Sequence, residues 1–230
     1  MGKNISVLGD SISTFQGYSN NVIDQRYPGI YYPCNDVNSV EKTWWWNVSV
    51  QLGGRIVSND SIAGSCVAGY NRAESDHSGQ KWCMNNQLRI NDLGESNVSS
   101  SNHPDIIMFF GGINDVCQDD FNNETFINSY SNAVRMMFER YSNKITILCI
   151  TPYATERLTT AKRNLTRFQQ ACSGIALVVN LYRNYGYDCK LISLQDIELQ
   201  DNEQDVLGHP TKAGMDRIAD RVAYVQQHGY

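Results

Sequence analysis

No apolar run in this 230-residue sequence reaches the roughly 18 residues that a membrane-spanning helix requires. Basic clusters are missing too: 19 Lys and Arg stand against 24 Asp and Glu, for a net charge of −5. Without a positive face there is no electrostatic footprint for nucleic acid or an anionic membrane, and neither is expected as a partner. Histidine is scarce, so any imidazole chemistry must fall to His77, His103, His209 or His228. The seven cysteines, at 34, 66, 83, 117, 149, 172 and 189, show no C-x-x-C spacing, and their odd number leaves at least one unpaired. Reduced thiols are the expectation. Cys149 and Cys172 read as small core residues, whereas Cys34, Cys66, Cys83 and Cys117 fall in loops, where a disulfide would imply an exported protein. The start, Met1-Gly2-Lys3-Asn4, runs into a strand without the regions of a signal peptide. As written the sequence reads as cytoplasmic, and as secreted if it is a mature form.

What is present is a regular alternation of strand-like and helix-like stretches, with no repeat, linker or low-complexity tract. Residues 1–230 therefore read as one α/β domain. Strands are expected at Ile5–Leu8, Arg55–Ser58, Ile106–Phe110, Ile145–Ile150 and Lys190–Leu194. Most are almost wholly apolar, as parallel strands covered on both faces should be. Leu165, Phe168, Cys172, Ile175, Val179 and Tyr182 recur at three- and four-residue steps and predict a long helix ended by Gly186. Phe126, Tyr130, Ala133 and Met137 predict another after an Asn123 cap, and Met215, Ile218, Val222 and Val225 a last one. Two long loops, between Ser13 and Thr43 and between Ser65 and Met84, follow strands one and two. Loops of that length usually carry function. The first holds Tyr18, Tyr27, Tyr31 and Tyr32, then Trp44, Trp45 and Trp46 at a helix start; of these three, at least one must face the core.

Ser11 ends the first apolar run in Val7-Leu8-Gly9-Asp10-Ser11-Ile12, at the edge of the sheet where open α/β folds bind ligands. A serine nucleophile needs a base, a group that orients the base, and donors for the oxyanion it creates. His209, in Asp205-Val206-Leu207-Gly208-His209-Pro210 before the last helix, is the candidate base. His77 and His103 in polar loops and His228 in the tail read as solvated surface residues. Gly64 after strand two and Asn114 after strand three are candidate oxyanion donors, through a backbone N–H and a side-chain amide. Asp10 and Asp115 read as turn and helix-cap residues. Asp115, Asp119 and Asp120 lack the periodic ligands of a calcium loop, and no metal is assigned.

These four blocks, Gly9-Asp10-Ser11, Gly64, Gly112-Ile113-Asn114-Asp115 and His209-Pro210, resemble in order and spacing the SGNH hydrolases, also called the GDSL esterase/lipase family. The wider stretches Gly9–Phe15, Tyr31-Tyr32-Pro33 and Thr43-Trp44-Trp45 are similar to a bacterial subgroup of that family. The resemblance implies a three-layer α/β/α sandwich with a five-stranded parallel flavodoxin-like sheet and a shallow site. It also implies a serine esterase in which Ser11 attacks and His209 accepts its proton. The Ser11 and Gly64 N–H groups and the Asn114 amide would then hold the oxyanion, without metal or cofactor. The family pattern places the orienting acid three residues before the histidine, where this chain has Val206. Asp205, four before, is the candidate here, by way of a bulge at Gly208; Glu203, Asp201 or a backbone carbonyl are the alternatives. The expected partner is a small-molecule or carbohydrate ester, O-acetyl groups foremost, with the oligomeric state left open. A lipase, lysophospholipase or thioesterase would use the same residues, and a displaced acid would also suit an impaired carbohydrate-binding relative.

Overall fold

The computed structural model describes residues 2–19, 31, 35–154 and 162–229, the side chains of 162–164 excepted. Strands β1 (Asn4–Gly9), β2 (Arg55–Ser61), β3 (Ile106–Phe110), β4 (Thr146–Ile150) and β5 (Cys189–Ile192) form one parallel sheet in the order β2-β1-β3-β4-β5. That is the flavodoxin-like order, in which the chain reverses direction across the sheet between β1 and β3 and opens a crevice there.

The sheet is apolar on both faces because it is covered on both. Leu8, Ile107, Phe109, Ile147 and Cys149 pack against α4 (Asn123–Tyr141) and α5 (Lys162–Asn184), with α2 (Gln87–Asn91) alongside. Val7, Met108, Phe110, Leu148 and Ile192 pack against α1 (Trp44–Gln51) and α6 (Lys212–His228). The residues of each face alternate along the strands, as the pleat requires. The three- and four-residue stripes read from sequence are the buried faces of α4, α5 and α6. Asn122 rather than Asn123 caps α4, its Oδ1 accepting from the Thr125 N–H at 2.9 Å. Gly186 ends the α5 region in the left-handed conformation, φ 83°. Trp44 and Trp45 are fully buried and Trp46 is half-buried, so two of the three face the core.

Tyr27, Tyr32 and Cys34 lie outside the described residues. Among the described ones, Cys66, Cys83, Cys149, Cys172 and Cys189 are free thiols, and Cys66 and Cys83 are buried despite their loop positions. None of the described helices is long and apolar enough to cross a membrane.

Candidate active site

Register places the three functional loops side by side. Gly9 stands opposite Ser61 of β2 and Phe110 of β3. Ser11, Gly64 and Asn114 follow those positions by two, three and four residues, so their loops leave the same edge together. Past Gly9 the chain enters a single 3-10 turn, Ser11–Ser13, capped by Asp10, whose Oδ1 accepts from the Ile12 N–H at 3.0 Å. Trp44 donates to Ser13 Oγ at 3.2 Å and Asn59 to the Ser13 carbonyl at 2.9 Å, so the turn is anchored to α1 and β2. Ser11 is 7 % exposed, and its Oγ lies 3.2 Å from His209 Nε2.

His209 is held by a tight turn. The Asp205 N–H donates to the His209 carbonyl at 2.8 Å and the Gly208 N–H to the Asp205 carbonyl at 2.9 Å, with Gly208 at φ 83°. Only a residue without Cβ adopts that φ cheaply, so Gly208 accommodates the extra residue between Asp205 and His209. Tyr153, fully buried, donates to the Gly208 carbonyl at 2.8 Å, and Tyr31 packs edge-on to the imidazole. Asp205 Oδ1 accepts from the Leu207 and His209 N–H groups at 2.8 and 3.0 Å and lies 3.7 Å from His209 Nδ1. That last separation is an ion-pair distance, beyond an ordinary hydrogen bond. Asn35 donates to the other carboxylate oxygen at 3.2 Å. Val206, at the position the family pattern reserves for the acid, is 96 % exposed. Glu203 is engaged by Arg217 at 2.7 Å and Asp201 is exposed, so Asp205 is the carboxylate that stands beside His209.

The Gly64 loop is fixed from below by Arg89, which the sequence reading missed. Its guanidinium, 4 % exposed, pairs with Asp60 at 2.8 Å and donates to Ser65 Oγ at 2.6 Å. It also donates to the Trp82 carbonyl at 2.7 Å, the Gly9 carbonyl at 3.2 Å and, closely, the Asp60 carbonyl. One planar fork thus joins the strand before Ser11 to the loop of Gly64. Asn114 Nδ2 donates to the Ser65 carbonyl at 3.0 Å, which orients the amide and leaves its second N–H for another acceptor.

Asp115 is not a helix cap. It is fully buried and accepts from the Val67 and Ala68 N–H groups at 2.8 and 2.9 Å and from the Tyr70 hydroxyl at 3.3 Å, stapling the loop beyond Gly64 to α3 (Ile113–Val116). A two-acceptor carboxylate facing two consecutive N–H groups gives no sequence signal beyond its neighbour Asn114.

Two of the remaining histidines also differ from the solvated surface role expected of them. His103 is 8 % exposed, with Nδ1 bonded to the Pro104 carbonyl at 2.8 Å and its ring against Tyr141. His77, half-buried, sits over the Gly64 turn with Nδ1 2.8 Å from the Ala63 carbonyl. His228 is exposed, as expected.

Burial governs the acid–base balance around Ser11. It pushes the Asp10 carboxyl from 3.8 up to about 7, against the bond from Ile12, with Asp115 adding to the rise. Burial likewise raises Asp115 to about 6, although the Val67 and Ala68 N–H groups oppose it. Asp205 goes the other way: burial works against its charge, but the bonds from His209 and Asn35 outweigh it and keep it below the ordinary carboxylate value. The Asp205 carboxylate stays charged beside His209, therefore, while the buried Asp10 and Asp115 are driven toward neutrality. Burial also pushes the Cys66 thiol well up, away from nucleophilic thiolate.

Among the described residues no cluster of three His, Cys, Asp or Glu side chains has the arrangement to hold a metal. A cleft of about 500 Å³ lined by Arg183, Tyr187, Asp188 and Lys190 lies by the start of β5, away from these residues at the carboxyl edge.

The pattern of the GDSL-like lipase/acylhydrolase family matches residues 3–226 of the chain. Among solved structures, a protein from Bacteroides ovatus called a GDSL-like lipase is 24% identical, with 99% of each chain covered and a TM-score of 0.63. A family two carbohydrate esterase from Clostridium thermocellum, solved with cellohexaose, is 15% identical, covers 98% of this chain and 64% of its own, and has a TM-score of 0.67. A family 3 carbohydrate esterase from the same organism is 18% identical, with 98% and 94% covered and a TM-score of 0.58. Among curated proteins none matches the sequence.

Proposed function

Because the chain belongs to the GDSL-like lipase/acylhydrolase family and is an ester hydrolase, we propose that Ser11 is its nucleophile, His209 its general base and Asp205 the acid behind that base. The observation that carries this reading is the 3.2 Å contact between Ser11 Oγ and His209 Nε2, two side chains 198 positions apart in sequence that meet at the carboxyl edge of the sheet. With its proton on Nδ1, beside the Asp205 carboxylate, the imidazole accepts the Ser11 proton through Nε2 as Oγ attacks the ester carbonyl. The Ser11 and Gly64 N–H groups donate to no described residue, and with the second Asn114 N–H they supply three donors for the oxyanion. His209 then hands its proton to the leaving alcohol. It next activates a water that splits the acyl-enzyme and returns Ser11. The chemistry needs no metal or cofactor.

The proposed substrate is a small acyl ester, with O-acetyl groups on a carbohydrate foremost. Two things support it: the likeness of fold to carbohydrate esterases and the aromatic pair contributed by the loop that follows Ser11 and by α1, where Tyr18, 47 % exposed, packs edge-on to half-buried Trp46. Val206 and Leu207, exposed beside His209, are the observation that favours a longer acyl or lipid ester instead. Hydrolysis of p-nitrophenyl acetate and p-nitrophenyl octanoate, and of an acetylated oligosaccharide, decides between them. Faster turnover of acetate and release of acetate from the sugar support the first reading, and a preference for octanoate the second. Equal rates for the wild type and Ser11→Ala would reject both.

A further inference from the structure

Of the groups around the site that this chemistry does not use, one touches an oxyanion donor through its own peptide unit. The segment Ile62-Ala63-Gly64-Ser65 is a β-turn: the Ser65 N–H donates to the Ile62 carbonyl at 3.1 Å, and Gly64, the third residue, has φ 77°. Ala63 is not among the residues with positive φ, so the turn is type II rather than type I′. Types I and II share the same closing bond and differ in the orientation of the central peptide, here Ala63–Gly64, which flips by about half a turn between them. Gly64 tolerates either state, because glycine populates both signs of φ. The turn alone therefore does not choose which way the Gly64 N–H faces.

His77 supplies the choice. Its Nδ1 lies 2.8 Å from the Ala63 carbonyl oxygen, which belongs to the same peptide unit as the Gly64 N–H. In a trans peptide the carbonyl and the N–H point in opposite directions, so whatever anchors one end aims the other. The carbonyl only accepts, so Nδ1 carries the proton and donates. The ring is itself held: it packs edge-on to Trp82, centroids 5.4 Å apart, and Trp82 is fixed by its Nε1 bond to the Glu74 carbonyl at 2.5 Å and by Arg89 on its own carbonyl. The imidazole stands close over the turn, its Cβ 3.6 Å from where a Gly64 side chain would begin.

We infer that His77 is a positioning residue that locks the Ala63–Gly64 peptide in the orientation presenting the Gly64 N–H to the substrate oxyanion. The inference rests on the oxyanion role proposed for Gly64. In the flipped state the Ala63 carbonyl would take the place of that N–H and repel the developing negative charge.

The test is steady-state hydrolysis of p-nitrophenyl acetate by the wild type, His77→Ala, His77→Asn and Ser11→Ala, with thermal unfolding of each. Loss of an oxyanion donor lowers kcat by about 10²–10³-fold, and a peptide freed to flip loses part of that, so His77→Ala is expected to lower kcat by about 10–100-fold. KM stays within about twofold, because the donor acts on the transition state and not on the bound ester. His77→Asn, whose amide N–H can reach the Ala63 carbonyl from nearly the position of Nδ1, recovers most of the rate. A His77→Ala kcat within threefold of wild type overturns the inference, and so does an asparagine variant as slow as the alanine one. Retention of activity by Ser11→Ala would instead overturn the reading on which it rests.

Discussion

Arg89 and Asp60 form a buried ion pair, 2.8 Å apart and 4 % and 0 % exposed, at the junction between the strand that delivers Ser11 and the loop that delivers Gly64. Two charges removed from water are tolerated there because the guanidinium's remaining N–H groups all meet acceptors, the Gly9, Asp60 and Trp82 carbonyls and Ser65 Oγ. The pair is thus a structural floor for the site and not part of its chemistry.

Removing one partner strips the other of its counter-charge in a dry interior. Arg89→Met is expected to destabilise the fold by about 3–5 kcal/mol, whereas the double variant Arg89→Met/Asp60→Leu costs less than the two single changes summed. Urea unfolding of the three variants checks this. Additive losses would mean that the two charges are not coupled.

His209→Ala removes the proposed general base but leaves the proposed oxyanion donors in place. Esterase activity should fall by at least about 10³-fold while some catalysis over the uncatalysed rate survives. Rates with p-nitrophenyl acetate, measured on folded variant, decide it; activity within tenfold of wild type would remove His209 from the mechanism.

Asp205→Asn keeps an oxygen for the Leu207 and His209 N–H groups, so the turn should persist, but it removes the negative charge beside the imidazolium. A fall in kcat of about 10²–10³-fold is expected, less than the ~10⁴ found where the substituted amide also enforces the wrong tautomer. An unchanged kcat would show that Ser11 and His209 work as a dyad.

Stability should depend on pH through the two fully buried carboxyls, Asp10 and Asp115. Asp10 and Asp115 have folded values raised from 3.8 to about 7 and about 6, so the folded state holds protons that the unfolded chain has released. Their contribution is complete below about pH 4 and is lost as pH rises through 6 and 7. Asp205, held below its ordinary value, has the opposite sign: its contribution is present above about pH 4 and lost in stronger acid. The unfolding temperature of the wild type should therefore decline from pH 4 to 7. Asp10→Asn, which keeps an acceptor for Ile12 and cannot ionise, should decline less. Parallel curves for the two proteins would contradict this.

Much of this was legible in the sequence because it is written in local signals. Apolar runs gave the five strands to within a few residues, and β5 begins and ends earlier than its apolar pattern, which carries on into the buried Leu194 beyond the sheet. Ser11, Gly64 and Asn114 stand out at strand ends, and His209 through its neighbours Asp205 and Pro210 at the entrance of the last helix. What stayed hidden was tertiary. Arg89 reads as an ordinary helix cation, and only the fold buries it between two loops. His77 lies in a polar stretch that suggests solvent, until the loop folds it over the Ala63–Gly64 peptide. Asp205 is ambiguous in sequence because Gly208 suggests a bulge but spacing alone does not separate Asp205 from Glu203 and Asp201; the fold does, by turning the chain left-handed at Gly208 and pairing Glu203 with Arg217.

Every step of the proposed chemistry depends on Ser11 as the nucleophile. Treating the protein with a fluorophosphonate and mapping the adduct by peptide mass spectrometry tests this most directly. A single phosphonyl group on Ser11, absent from Ser11→Ala and much slower to form in His209→Ala, is the predicted result. An adduct on any other residue, or equal labelling of the Ser11→Ala variant, would contradict it.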